Sequence, residues 1–268
     1  MRLKVTFNNE STVYGPVLSW RFGKSLGIDP IFSSSTCSFN CIYCQLGNIQ
    51  NVTTELKNYV ETNKVISDIK TFLEKKIDFD VLTFSGSGEP TLALNLGEMA
   101  QIIKKIIPEK PLLILTNATQ LHLPMVQQNL QLFDRVIVKL DSASEIVMQK
   151  INRPAQGITV ESIFQGILEF KKVYKGILDV QIMFMPLNFN ELAELAQRLI
   201  TIAPDSVQLN TPKRPYPLSW HIENRGNHEN IFDYEVRSLK TINEHEALSV
   251  ESTLRKLTGL NILSIYRE

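Results

Sequence analysis

The sequence predicts an α/β fold on a parallel sheet, and three observations lead there. From about Lys64 onward, helical periodicity alternates with short β-branched runs, for a total of about six β-to-α units. The third run, Pro111 to Leu115, is apolar throughout, as a strand covered on both faces should be. Each run also hands over to polar residues at its C-terminal end, the edge where parallel α/β folds bind ligands. With 268 residues, 43% of them apolar and 21% charged, the chain is long enough to bury a full core and too apolar to be disordered.

Taken in order, Leu3 to Phe7 reads as a short strand, and Tyr14 to Ser35 as a Gly- and Ser-rich segment able to wrap the rim of a domain. The first sheet strand is expected at Gly27 to Phe32, just before three cysteines. Val65, Ile69, Phe72 and Leu73 then recur at helical spacing. The second strand, Asp80 to Phe84, ends in the turn Ser85-Gly86-Ser87-Gly88-Glu89-Pro90. Its helix carries Met99, Ile102, Ile103 and Ile106 and stops before Pro108. The third strand runs into Thr116-Asn117, and the fourth, Arg135 to Leu140, into Asp141-Ser142. A helix from Val160 to Tyr174 precedes the fifth strand, Leu178 to Met185, where Asp179 and Gln181 alternate with apolar side chains. The helix Asn190 to Ile202 and the sixth strand, Ser206 to Leu209, complete the series at Asn210-Thr211-Pro212. Beyond lie Pro215 and Pro217, a polar loop through Asn230, two amphipathic stretches and the apolar run Leu260 to Tyr266. The expected division is a strand and rim segment at 1–26, the repeated units at 27–211, and a C-terminal appendix at 212–268.

Charge narrows the function. The 28 Lys plus Arg balance the 28 Asp plus Glu, so no global field exists to hold a polyanion or an anionic membrane. The appendix is balanced too, and pairs such as Lys171-Lys172 and Lys213-Arg214 read as solvated faces. No apolar run approaches the ~20 residues that cross a bilayer, and the start MRLKVTFNNE lacks the apolar core of a signal peptide. A cytoplasmic protein without membrane partners is the expectation.

All three cysteines, Cys37, Cys41 and Cys44, lie in the run Cys37-Ser38-Phe39-Asn40-Cys41-Ile42-Tyr43-Cys44. Such crowding is no disulfide framework. Three soft ligands at this spacing suit an iron–sulfur cubane with one iron left open to a small chelating ligand. Structural zinc is the alternative, although it prefers four closed ligands, and the nearest histidine, His122, is far along the chain. Absorbance in the visible separates the two.

The CxxxCxxC pattern with Tyr43 before its last cysteine resembles the radical S-adenosylmethionine (radical SAM) superfamily, and Gly88-Glu89-Pro90 matches that family's Gly-Glu-Pro element. The likeness covers about Val13 to Thr211. It implies a partial (βα)6 TIM-like barrel, which the six units counted from periodicity fit, followed here by the short appendix. It further implies that Cys37, Cys41 and Cys44 hold a 4Fe-4S cluster, that Tyr43 packs near the adenine, and that Gly88, Glu89 and Pro90 receive the methionine end of S-adenosyl-L-methionine. Asn117, Asp141, Ser142 and Asn210 become candidates for ribose, carboxylate or substrate contacts, with helix capping and turn formation as the alternative. Met183, with Met185, is a candidate for the adenine slot or for core. The implied reaction is reductive cleavage of the cofactor to a 5′-deoxyadenosyl radical that abstracts a substrate hydrogen, using an external electron donor.

Within the superfamily, the runs around Gly15-Pro16, Ser19-Trp20-Arg21-Phe22-Gly23 and Cys44-Gln45-Leu46-Gly47 are similar to a branch around the tRNA wyosine synthases. Those enzymes hold a second cluster through additional cysteines, and this chain has none to spare. Single-cluster members of that branch resemble enzymes that modify ribosomally made peptides, including spliceases that excise a tyramine unit. The implied partner is therefore a peptide or protein substrate, delivered by a small partner protein or the appendix. tRNA base modification and a non-catalytic iron–sulfur component are the other readings.

Overall fold

The computed structural model describes residues 10–226 and 233–266, so the strand expected at Leu3 to Phe7 lies outside the described residues. Eight strands form one open sheet: β1 (Val13–Ser19), β2 (Gly23–Ile28), β3 (Val81–Phe84), β4 (Leu112–Thr116), β5 (Arg135–Lys139), β6 (Ile177–Met183), β7 (Ser206–Asn210) and β8 (Ile262–Ser264). Their order across the sheet is their order in the chain. β1 runs antiparallel to β2, and every later pair is parallel. Parallel neighbours need crossovers, and these are supplied by α1 (Thr62–Glu74), α2 (Leu96–Ile106), α3 (Pro124–Leu130), α4 (Glu145–Ile151), α5 (Val160–Val173), α6 (Leu192–Ile202) and α7 (Glu244–Thr258). The result is a curled partial barrel, as expected.

The strands alternate between two environments. Leu82, Phe84, Leu112, Ile114, Val136, Val138, Val180 and Ile182 are almost wholly buried and form one cluster with Val65 and Ile69 of α1, Met99 and Ile103 of α2, and Ile167 and Phe170 of α5. Burying each such side chain contributes about 1.5–3 kcal/mol, so this outer layer carries the stability of the fold. The opposite face is largely polar: Ser25 and Thr83 share a 2.7 Å hydroxyl contact, and Asp179 accepts from Ser206 at 2.8 Å and from Gln208 at 2.9 Å. A sheet whose concave face carries such groups encloses a site as well as supporting a core.

Three stretches differ from the sequence expectations. β2 ends at Ile28 because Asp29 turns the chain, its Oδ1 accepting from the Ile31 and Phe32 amides at 3.1 and 3.0 Å, and Phe32 and Ser33 take left-handed φ values of 45° and 47°. The strand expected at Gly27 to Phe32 is thus displaced upstream. Most of the supposed rim segment is the β1–β2 hairpin. Finally, α7 and β8 extend the sheet, β8 pairing with β7 from Ile262↔Val207 to Ser264↔Leu209. The segment expected to pack on the barrel adds a seventh parallel strand to it.

Candidate active site

The cysteine loop leaves β2, and its backbone is held from two sides. Asn40 and Ile42 donate to the carbonyls of Asn152 and Ile151 at 2.9 Å, while Ala155 donates to Ser38 O at 2.8 Å. On the other side, Thr36 N donates to Ser87 O and Glu89 N donates to Thr36 O, both at 3.0 Å. This ladder locks the cysteine loop onto the turn after β3. It also explains Gly88: a Cβ there would lie 1.6 Å from the Thr36 carbonyl oxygen. The two motifs are one structure.

Glu89 is 2% exposed and caps the single-turn helix Pro90–Leu92. Its Oε1 accepts from Thr91 N (3.0 Å), Thr91 Oγ1 (2.7 Å) and Thr116 Oγ1 (2.6 Å), and its Oε2 from Asn117 N (2.7 Å). Burial pushes its carboxyl up, opposed by these hydrogen bonds. A carboxylate so fixed retains acceptor capacity on Oε2, the chemistry an ammonium group requires.

A cavity of about 630 Å³ opens inside the sheet, and the three thiols share its wall with Tyr43, Gly88, Glu89, Asn117, Met183 and Asn210. Pro90, Asp141 and Ser142 are not on that wall; they are buried behind it. Asp141 is an organiser: it accepts from the Tyr43 hydroxyl, from Asn152 Nδ2 at 2.7 Å and from Met183 N at 2.7 Å. Asn188 bridges the Asp141 and Met183 carbonyls at 2.7 and 3.0 Å. Asn117 is similarly committed, donating to Ser38 Oγ at 2.8 Å and to Cys37 Sγ at 3.5 Å. Met185 is buried beside Tyr43 and Ile151 in a small apolar cluster against which Met183 packs.

The donor set fits the cluster expected from the sequence. Burial pushes all three thiols up, Cys44 to about 12, with Glu89 adding to the effect at Cys37 and Lys139 opposing it at Cys41. Such thiols ionise together only around a strongly cationic centre. Among the described residues no three His, Cys, Asp or Glu side chains converge tightly enough for a single ion. The thiols instead face a shared cavity, and Asn117 and Asn152 direct N–H groups at Cys37 and Cys41 Sγ, at 3.5 and 3.4 Å. Three sulfur donors around a roomy wall suit a polynuclear cluster with one open iron.

Sequence reasoning missed two features of this cavity. Arg225, 3% exposed, donates to Asp29 Oδ2 at 3.2 Å, and the same oxygen accepts from Ser87 N and Oγ at 3.0 and 2.6 Å. Arg21, at the β1–β2 turn, lies on the cavity wall at the opposite end of the strands from the cysteines and donates to Gln208 Oε1 at 2.8 Å. Burial lowers its guanidinium to about 10, with Asp179 pulling the other way. The alternation of Asp179 and Gln181, repeated as Ser206, Gln208 and Asn210, was the available signal for a polar interior.

Comparison with known proteins agrees with this geometry. Residues 31–199 match the family model described as "Radical SAM superfamily". The chain is 43% identical over 248 residues to UPF0026 protein slr1464 of Synechocystis sp., covering 92% of each, and 34% identical over 209 residues to UPF0026 protein MJ1312 of Methanocaldococcus jannaschii, covering 75% of this chain and 64% of that one. Among solved structures, SuiB of Streptococcus suis bound to the precursor peptide SuiA superposes with a TM-score of 0.60 at 15% identity, covering 89% of this chain and 48% of SuiB. TYW1 with a lysine-pyruvate adduct bound superposes with a TM-score of 0.58 at 14% identity, covering 88% of this chain and 75% of that one. At such identities the structural likenesses speak to fold. With the cysteines and Gly88-Glu89 interlocked on one cavity wall and the family model spanning more than half of its length, the chain belongs to the radical SAM superfamily, whose members use a 4Fe-4S cluster and S-adenosylmethionine.

Proposed function

We propose that this chain is a radical SAM enzyme acting on a peptide, with Cys37, Cys41 and Cys44 as the cluster ligands and Glu89 as the acceptor for the cofactor's ammonium group. The observation that carries the radical chemistry is the Thr36–Gly88 docking, which places thiols and carboxylate on the same wall. When bound, the cluster and S-adenosylmethionine supply a 5′-deoxyadenosyl radical. The chain's own residues position and shield. Tyr43, fixed by Asp141 and with Lys139 Nζ 4.9 Å from its ring centroid, presents a rigid aromatic surface for the adenine. Met183 and Asn210, at the ends of β6 and β7, line the adjoining wall.

The peptide reading rests on the three-cysteine count, the balanced charge and the fold shared with SuiB, which binds a precursor peptide. A partial barrel with two sheet edges admits an extended chain more readily than a closed one. The sequence runs similar to the branch around the tRNA wyosine synthases favour tRNA modification as the second reading, against which stands a net charge of zero. Reconstituted protein given dithionite and S-adenosylmethionine is expected to release 5′-deoxyadenosine, and Cys41→Ala to release none. Release by Cys41→Ala would overturn the assignment of the ligands. Co-expression with a precursor peptide from the same gene neighbourhood is expected to change the peptide's mass; an unchanged peptide beside altered tRNA nucleosides would favour RNA.

A further inference from the structure

The end of the cavity away from the cysteines is built as a binding site in its own right. The turn Trp20–Phe22 tucks into the barrel at the N-terminal end of the parallel strands, with all three side chains on the cavity wall. Trp20 and Phe22 flank the guanidinium of Arg21, their ring centroids 5.6 and 5.1 Å from its Cζ. Gln208 fixes Nη1 at 2.8 Å. The remaining edge, Nε and Nη2, has no hydrogen-bond partner among the described residues, and Nε is fully buried.

A second group nearby is also unanswered. Gln181 is 6% exposed and lies on the cavity wall, and its carboxamide makes no hydrogen bond to a described residue. It is the register partner of Gln208 on the adjoining strand, so it stands next to the side chain that holds Arg21. The nearby carboxylate, Asp179, is occupied by Ser206 and Gln208, with Arg135 Nε 3.5 Å away. A guanidinium N–H beside a carboxamide that has no hydrogen bond to a described residue answers an oxyanion.

We infer that Arg21 and Gln181 form a carboxylate-recognition subsite on the cavity wall between the β1–β2 turn and the cysteine loop, which receives an acidic end of the substrate: a Glu or Asp side chain, or a terminal carboxylate, of a peptide. The inference deepens the peptide reading, and the site fixes how far the substrate descends and which hydrogen faces the cofactor end. Trp20 and Phe22 lie against the guanidinium, and with Nε buried it is Nη2 that is left to receive the ligand.

The test uses the full chain, unreduced and without S-adenosylmethionine, so its failure leaves the deoxyadenosine result untouched. The chain has two tryptophans, and Trp220→Phe leaves Trp20, beside Arg21, as the sole fluorescent reporter. N-acetylglutamate is expected to shift that emission saturably, and its neutral isostere N-acetylglutamine to bind roughly tenfold or more weakly, as loss of a charge-assisted contact dictates. Arg21→Lys, which keeps the charge and loses the planar fork, is expected to weaken N-acetylglutamate binding, as is Gln181→Leu, which removes a carboxamide that makes no hydrogen bond to a described residue. Equal binding of acid and amide, binding unaffected by both substitutions, or no saturable response would overturn the assignment.

Discussion

Gly88 shows how one residue joins two motifs that are separate in the sequence. Its missing side chain lets the Thr36 carbonyl approach to where a Cβ would collide at 1.6 Å, and the colliding atom is backbone, which cannot swing aside. Gly88→Ala is therefore expected to separate the cysteine loop from Glu89. Overpacking of this kind costs about 1–3 kcal/mol. Reconstituted Gly88→Ala should show a lower urea midpoint, less bound iron per chain and weaker visible absorbance than the parent. Wild-type iron content would show that the docking is not what holds the ligands in place. Asp141 teaches the complementary lesson, because an acidic residue at a strand end looks like a ligand in sequence yet here orients Tyr43, Asn152 and the Met183 amide.

At the scale of elements, the parallel strands were legible because their helix-facing residues, such as Leu82, Ile114, Val136 and Val180, are β-branched or bulky and recur at period two. The β1–β2 hairpin was not. Gly15, Pro16, Gly23 and Gly27 interrupt its alternation, and its turn residues face a polar interior in place of solvent. β8 was illegible for another reason: it is three residues long and pairs with a strand far upstream. The helix before it did carry signals, since Asn243 and Glu246 form a reciprocal capping box and Gly259 closes the other end at φ 69°. Asn243→Ala is expected to lower stability by roughly 1 kcal/mol, read as a shift in urea midpoint. No shift would mean that packing of Ala247, Val250 and Leu254 alone sets the helix.

Across the whole molecule, the contacts that define the cavity join residues remote in sequence, which is why the motifs could be read and their surroundings could not. Arg21 meets Gln208 across 187 positions, and Arg225 meets Asp29 across 196. The second pair ties three parts of the chain together. Asp29 ends β2, takes the Ser87 amide and hydroxyl in the turn that leads into Gly88-Glu89, and faces an arginine from the C-terminal segment, which also donates to Ser11 O at 3.1 Å. Both side chains are almost fully buried, 2% and 0% exposed. Removing one side of a buried ion pair costs about 3–5 kcal/mol, whereas removing both costs less than the sum. Asp29→Asn and Arg225→Met should each lower the urea midpoint, and the double variant should fall short of additivity. Because Ser87 precedes the cofactor-end motif, Arg225→Met is also expected to weaken S-adenosylmethionine binding without changing the number of cysteine ligands or the iron bound per chain. Additive losses of stability with unchanged cofactor affinity would show that the C-terminal segment merely covers the barrel; non-additive losses with weakened affinity would show that it braces the site.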